Sequence, residues 1–312
     1  MPKITSRKTQ YALLPLVLIA RAGTAMGLAK PTLRQLLKIG LSPTEGFEGY
    51  TPTRADIIVA SYAKSGTNWS LQIALQLAHR GRAEFGHVHE LVPWPDGRLM
   101  FKDIARLDQP PASPTGLRVI KTHLGAAHVP YSEAATYLCM LRDPKEVVVS
   151  AYHFFLGLLN VADRVSPREW AELWISDDFA GERWAEHCAG FWALRERPNV
   201  IVRSFGRAKR DLPGLVDDLA GVLDLELEPG EREAVIERSS LPYMRAHEDC
   251  FAPPAFPMIW RDTRPKMIRR GESGRSDELL DAEIRARIDE HARAQLRRLG
   301  SDLPYDELFS AQ

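Results

Sequence analysis

The sequence predicts an α/β fold, a P-loop-like parallel β-sheet flanked by helices on both faces, in a single domain. Three observations lead there. Runs at 55–61 (ADIIVAS), 117–121 (LRVIK), 136–141 (TYLCML) and 199–203 (NVIVR) are short and nearly continuous in apolar or β-branched residues, the pattern of strands buried on both faces. Helix-like stretches at 67–80, 144–156, 168–175, 181–196, 208–223, 229–238 and 278–299 lie between and after them, the alternation that wraps a parallel sheet in helices. The first run leads straight into SYAKSGTNW (61–69), at the carboxyl end of a strand, where such sheets bind ligands.

Composition bounds the rest. A chain of 312 residues, 45% hydrophobic and 26% charged, is ordinary globular material with room for a sizeable core. Its net charge is zero, so it lacks the basic field that non-specific nucleic-acid binding needs, and a nucleic-acid partner is not expected. Cys139, Cys188 and Cys250 lie far apart without a CxxC spacing, which fits neither a disulfide framework nor a zinc site and suits a reducing cytosol.

The first element is electrostatically separate. Residues 1–44 carry Lys3, Arg7, Lys8, Arg21, Lys30, Arg34 and Lys38 and no acidic side chain, leaving the remainder at −7. The apolar run YALLPLVLIA (11–20) is ten residues long and ends at Arg21, well short of the roughly 20 that span a bilayer. Residues 1–45 are therefore expected to form a basic N-terminal helical segment ahead of a domain over 46–312. A hairpin packed on that domain is the first reading: Pro15 and Pro31 suit helix first turns, Leu33, Leu36 and Leu37 form one stripe, and Gly40 suits a C-terminal cap. An interfacial helix on anionic lipid and a cleaved secretory signal are the other two. The expected location is cytoplasmic, with peripheral contact at the inner membrane face as the second possibility.

After the first strand, Lys64, Ser65, Gly66, Thr67 and Asn68 supply the parts of an anion-binding loop: successive backbone N–H groups, a helix N-terminus and one full positive charge. The ATP-binding form needs G-x-x-x-x-G-K-[ST], and here the lysine precedes the glycine, so a magnesium nucleotide is not the obvious ligand. An exposed lysine on an ordinary strand-to-helix turn is the plain alternative. The second strand delivers Lys121, Thr122 and His123. An imidazole with a pKa near 6.5 is mostly neutral at neutral pH and suits a general base, although taken alone it is more often structural. The third strand ends in LRDPKEVVVSAYHFF (141–155). There Arg142, beside a helix N-terminus, and Ser150, two turns on, suit a second anion. Asp143 before Pro144 reads as an N-cap rather than a magnesium ligand. Two anion sites on one sheet suggest a ligand with a phosphate at each end.

These segments resemble, in order, the cytosolic-type sulfotransferases that use 3′-phosphoadenosine 5′-phosphosulfate (PAPS) as donor. SYAKSGTNW is similar to the family's 5′-phosphosulfate loop, IKTHL (120–124) to its catalytic-histidine segment and LRDPKEVVVSAYHF to its 3′-phosphate segment. GERWAEHCAGFWALRERPNVIV (181–202), ERSSLPYM (237–244) and IRRGESG (268–274) resemble later blocks. The resemblance implies a sulfotransferase fold, PAPS as co-substrate and no metal. It implies that Lys64, Ser65, Gly66, Thr67, Asn68 and Trp69 hold the phosphosulfate and that Arg142, Ser150, Arg269, Arg270 and Gly271 hold the 3′-phosphate. Trp69, Phe205, Ser239 and Leu241 would surround the adenine, and His123 would act as base with Lys64, Lys121 and Ser150 around it. Trp94, Phe101, Tyr131, His153, Phe154, Phe155 and the Pro-rich segment 251–265 fall where the family builds its acceptor pocket and lid, implying a small-molecule acceptor that is aromatic or apolar. Residues 1–45 precede the recognised blocks and are expected to be dispensable for donor binding.

Departures from the pattern are specific. Phe205, in SFGRAKRD (204–211), stands for a family tyrosine; Gly125 stands for proline after KTHL; GRS at 274–276 stands for GDW; and no dimer motif of the animal enzymes is recognisable, which leaves the oligomeric state open. His87, His89 and Glu90 could bind a metal but read better as a surface pair. Trp170, Trp174, Trp184 and Trp192 read as core. Two other function classes fit parts of the sequence: a P-loop kinase using ATP, magnesium and Asp143, and a non-catalytic nucleotide-binding scaffold.

Overall fold

The computed structural model describes residues 7–41, 46–97, 105–177, 179, 182–252, 267, 268, 274 and 276–309. Phe101, Arg269, Arg270, Gly271 and residues 253–265 lie outside them. The chain opens with a hairpin of α1 (Arg7–Ala25) and α2 (Ala29–Leu41), then runs β1 (Asp56–Ala60), α3 (Thr67–Ala78), β2 (Arg118–Thr122), β3 (Thr136–Leu141), α4 (Pro144–Ala151), α5 (Pro167–Trp174), α6 (Trp184–Trp192) and β4 (Val200–Ser204). There follow α7 (Phe205–Arg210), α8 (Leu212–Val222), α9 (Pro229–Arg238), α10 (Leu241–Ala246), α11 (Ala282–Arg298) and α12 (Tyr305–Phe309).

All four strands are parallel, in the order β2-β1-β3-β4. Because side chains alternate across a strand, each run feeds two cores. Ile58, Ala60, Ile120, Tyr137, Cys139 and Val202 face the layer of α4, α5, α6 and α11, while Ile57, Val59, Val119, Leu138, Met140 and Ile201 face α3, α8 and α9. Burial on both sides explains why the runs lack polar alternation. The amino ends of β1 and β2 are tied by fully buried Asp56, which accepts from Arg118 Nε at 2.9 Å and Nη2 at 2.7 Å and from the Tyr50 hydroxyl at 2.6 Å.

Several expected boundaries move. The stretch 208–223 is two helices, because the Asp211 carboxylate accepts from Gly214 N at 2.9 Å and starts a new helix. The expected helix 144–156 leaves α geometry after Ala151 and continues as a π turn over Tyr152–Leu156. Pro15 lies inside α1, which already begins at Arg7, and Gly40 inside α2, which runs to Leu41, not at the ends anticipated for them. The hairpin packs on the sheet layer: α2 lies on α5, with Ala20, Leu33, Leu36 and Leu37 joining the core there. Arg21 Nη1 donates to the Asn160 carbonyl at 2.6 Å, and Lys30 pairs with Glu172 at 2.8 Å.

Candidate active site

At the carboxyl ends of the strands β1 and β2 stop together, Ala60 beside Thr122, and β3 and β4 stop together two residues further on, Leu141 beside Ser204. In the order β2-β1-β3-β4 the chain passes from β2 across β1 to β3, so the crevice beyond β1 and β3 is the topological switch point of the sheet. What each strand delivers there forms one site.

From β1 comes the loop to α3. Lys64 and Gly66 both take left-handed backbone (φ 71° and 97°), and Gly66 starts α3 with no side-chain cap, leaving its first N–H groups directed outward. Only glycine suits position 66: besides its φ, a Cβ would lie 2.7 Å from the Phe205 ring. The hydroxyls of Ser65 and Thr67 are buried without a hydrogen-bond partner. The Lys64 ammonium sits 3.8 Å from the centre of the Phe154 ring. Burial first, and then the charges of Arg142 and Lys121, lower its pKa to about 7.

From β2 come Lys121 and His123. The Lys121 ammonium lies 3.4 Å over the Trp94 ring, and burial lowers its pKa to about 7, opposed by Asp96. Trp94 also meets His123 edge-on at 5.5 Å and stacks on His89 at 5.3 Å. The His123 backbone N–H donates to Asp96 Oδ2 at 3.0 Å, and its Nδ1 lies 2.8 Å from the Ser61 carbonyl oxygen. Since a carbonyl only accepts, Nδ1 carries the proton and Nε2 keeps its lone pair. Burial, then Lys121, lower the imidazole pKa to about 3 against the Ser61 bond, with Lys64 adding further.

From β3 comes Arg142. Its Nη1 donates to the Lys64 carbonyl at 2.9 Å, its Nη2 reaches Glu146 at 3.4 Å, and its guanidinium lies 4.9 Å over the Phe205 ring. Asp143 caps α4 through the Lys145 N–H at 2.8 Å and pairs with the Lys145 ammonium at 3.1 Å, so its carboxylate is a helix cap. Ser150 is half-buried near the end of α4. On the far wall, Trp69 meets Phe205 edge-on at 5.4 Å and donates to the Ser239 carbonyl at 2.8 Å. The Ser239 hydroxyl is buried without a partner, Leu241 opens α10 two residues on, and Asn68 reaches the Phe251 carbonyl at 3.4 Å. Loop, arginine and aromatic wall thus meet around one crevice.

Other expectations change. Tyr131 lies away from the crevice: its hydroxyl donates to Asn199 at 2.9 Å and its ring stacks on Tyr137, beside the amino ends of β3 and β4. Phe155 turns to the core beside Trp170, whereas Phe154 faces Lys64 and His153 packs edge-on to Tyr152. His89 is buried and its Nδ1 meets the Val92 carbonyl at 2.9 Å, so His87 and His89 are not a surface pair. Among the described residues no group of three metal-ligating side chains forms. Trp170, Trp174 and Trp184 are buried and Trp192 is partly so.

Three neighbours of the site had no sequence signal of their own: Asp96 and Ser61, which hold His123, and Glu182. A Cβ at Gly125 would lie 1.7 Å from Glu182 Oε1, so the glycine makes room for that carboxyl. Burial, then Glu186, raise the Glu182 pKa to about 7. Beside it, His187 is fully buried with neither ring nitrogen hydrogen-bonded, edge-on to Tyr62. The departure at Gly125 is the trace that could have pointed to Glu182.

A family model described as the sulfotransferase domain matches residues 54–300. Human sulfotransferase 2A1 is 24% identical over 221 residues, covering 66% of this chain and 75% of that protein. The 3-alpha-hydroxysteroid sulfotransferase of Cavia porcellus is 28% identical over 198 residues, covering 62% and 67%. Among solved structures, retinol dehydratase in complex with androsterone and the inactive cofactor PAP superposes with a TM-score of 0.66 at 18% identity, covering 84% of this chain and 86% of that one. Mouse sulfotransferase SULT7A1 complexed with PAP gives 0.61 at 18%, covering 81% and 88%.

Proposed function

The chain belongs to the sulfotransferase domain family, and from that premise we propose that it moves a sulfuryl group from PAPS to a hydroxyl or amine of a small aromatic or apolar acceptor, with His123 as general base. The donor would supply a sulfur already bonded to its leaving group, the 5′-phosphate. The residues fit it: Lys64, the uncapped start of α3 and the partnerless buried hydroxyls of Ser65 and Thr67 suit the phosphosulfate end. Arg142 and Ser150 suit the 3′-phosphate, with Arg269, Arg270 and Gly271 assigned by sequence alone. Trp69, Phe205, Leu241 and the buried Ser239 hydroxyl suit the adenine. That neighbours of this fold bind PAP supports the same reading.

The protein's part in an in-line displacement is positioning and charge. The acceptor proton passes to His123 Nε2, whose lone pair is kept available by the Nδ1–H bond to Ser61. Lys64 balances charge growing on the departing phosphate, and Lys121 adds a second cation beside the base. Trp94 and Phe154, with His153, would wall off water and favour an apolar acceptor, Phe101 being assigned to the acceptor side by sequence alone. A relative named for hydroxysteroids and a neighbour bound to androsterone support a rigid alcohol. Three free cysteines, two of them buried, support action in a reducing cytosol.

The carrying observation is the tautomer lock on His123, whose imidazole feels the charges of both Lys121 and Lys64. The test is single-turnover transfer of labelled sulfate from PAPS to a panel of steroid alcohols, phenols and amines, beside calorimetric affinity for PAP. Wild type transfers to at least one acceptor, while His123→Gln keeps PAP affinity and loses about 10² or more in rate. Transfer by His123→Gln at the wild-type rate overturns the base assignment.

A further inference from the structure

Among the described side chains of α1, Leu14–Ala25, the outer side lacks the polar residues that face water on a surface helix. Helix α1 buries Val17 and Ala20 against the protein, which turns Pro15, Leu18, Ile19, Ala22, Ala25 and Met26 outward. Their spacing of three and four residues makes one continuous stripe, and every member is apolar. The turn extends it through Gly27 and Leu28. Leu18 is 46% exposed, Ile19 53%, Met26 67% and Leu28 50%, and the only other exposed large hydrophobics among the described residues are Tyr131 and Leu299. Isolated exposed apolar side chains need no explanation, but a contiguous patch marks an interaction surface.

Charge selects the occupant. Residues 1–44 carry seven basic and no acidic side chains. Lys30, Arg34 and Lys38 are exposed on α2, Lys30 pairing with Glu172 across the hairpin base, and Lys3, Arg7 and Lys8 lie at or before the start of α1. An apolar stripe on a hairpin whose own charged side chains are all basic matches an anionic bilayer surface, whose acyl boundary accepts the stripe and whose headgroups attract the charges. No described helix is long and apolar enough to cross a membrane, so the contact lies in the plane of the interface. We propose that the outward face of the N-terminal hairpin, Leu18, Ile19, Met26 and Leu28 together with the exposed Arg34 and Lys38 of α2, docks the enzyme on an anionic lipid surface.

The test is co-sedimentation of the full chain with vesicles of phosphatidylcholine containing about one third phosphatidylglycerol, against phosphatidylcholine alone. The expected result is partition to the anionic vesicles that falls at least tenfold when salt rises from about 0.1 to about 0.5 M. Leu18→Ser with Ile19→Ser should weaken it at least tenfold, and so should Arg34→Gln with Lys38→Gln. PAP affinity should be unchanged in both variants, which separates a docking defect from misfolding. Should the serine variant misfold, the glutamine variant and the salt arm decide. Equal binding to both vesicle types, or none to the anionic ones, overturns the proposal. So does a wild-type dimer in light scattering that the serine variant dissociates, because the stripe then covers a second copy.

Discussion

Lys64 and Lys121 are brought by burial to pKa values of about 7, so near neutrality each is only partly charged until an anion arrives. A bound phosphate favours their charged forms and raises both values. The free protein has therefore lost these protons above about pH 7, and the complex regains them. Binding of PAP at pH 8 should take up roughly one to two protons, and affinity should fall as pH rises above about 7; at pH 6 uptake should nearly vanish. Calorimetry in buffers of different ionisation enthalpy measures this, and no uptake at pH 8 would mean the lysines do not face the donor. Gly125 and Glu182 make a second residue-scale pair, since a Cβ at 125 needs the space the carboxyl fills. Gly125→Ala should cost about 1–3 kcal/mol by overpacking and close to nothing in a Glu182→Ala background. A double-mutant cycle by denaturant unfolding gives the coupling, and additive effects would sink the pairing.

At the scale of elements, the hairpin of α1 and α2 is electrostatically foreign to the domain yet shares its core. Val17, Ala20, Leu33, Leu36 and Leu37 are buried, and a buried leucine is worth about 1.5–3 kcal/mol. Removing residues 1–45 should therefore lower Tm by about 10 °C, while PAP affinity stays within about twofold because no described hairpin residue meets the crevice. Scanning calorimetry beside titration with PAP checks both halves; an unchanged Tm would show the packing to be incidental. Dispensable for binding and dispensable for folding are thus different properties of this segment.

On the scale of the whole molecule, the strand order decides where chemistry can occur. Placing β1 between β2 and β3 sets the loop at 61–66 beside both His123 after β2 and Arg142 after β3. Another order with the same strands would separate these groups by at least one strand spacing of about 4.8 Å. The partnerless hydroxyls of Ser65, Thr67 and Ser239 come together because α9 packs against α3 on one face of the sheet.

Local chemistry is written directly into the order of the amino acids. The strands were legible because burial on both faces leaves unbroken apolar runs, the N-cap at Asp143 because Asp-Pro has one simple helical use, and the loop at 64–68 because glycine and lysine at a strand end suit an anion. The likeness of six ordered segments then carried the family and nominated the candidate site residues. Tertiary structure alone decided relations between distant residues. Asp96 holding His123, Glu182 filling the space above Gly125, and the switch from Phe154 facing Lys64 to Phe155 facing the core all depend on how separate segments pack. Nor does any local pattern say which stripe of a doubly apolar helix will be buried: in α1 Val17 and Ala20 went inward and Leu18 and Ile19 outward because the rest of the protein offered a groove for only one side.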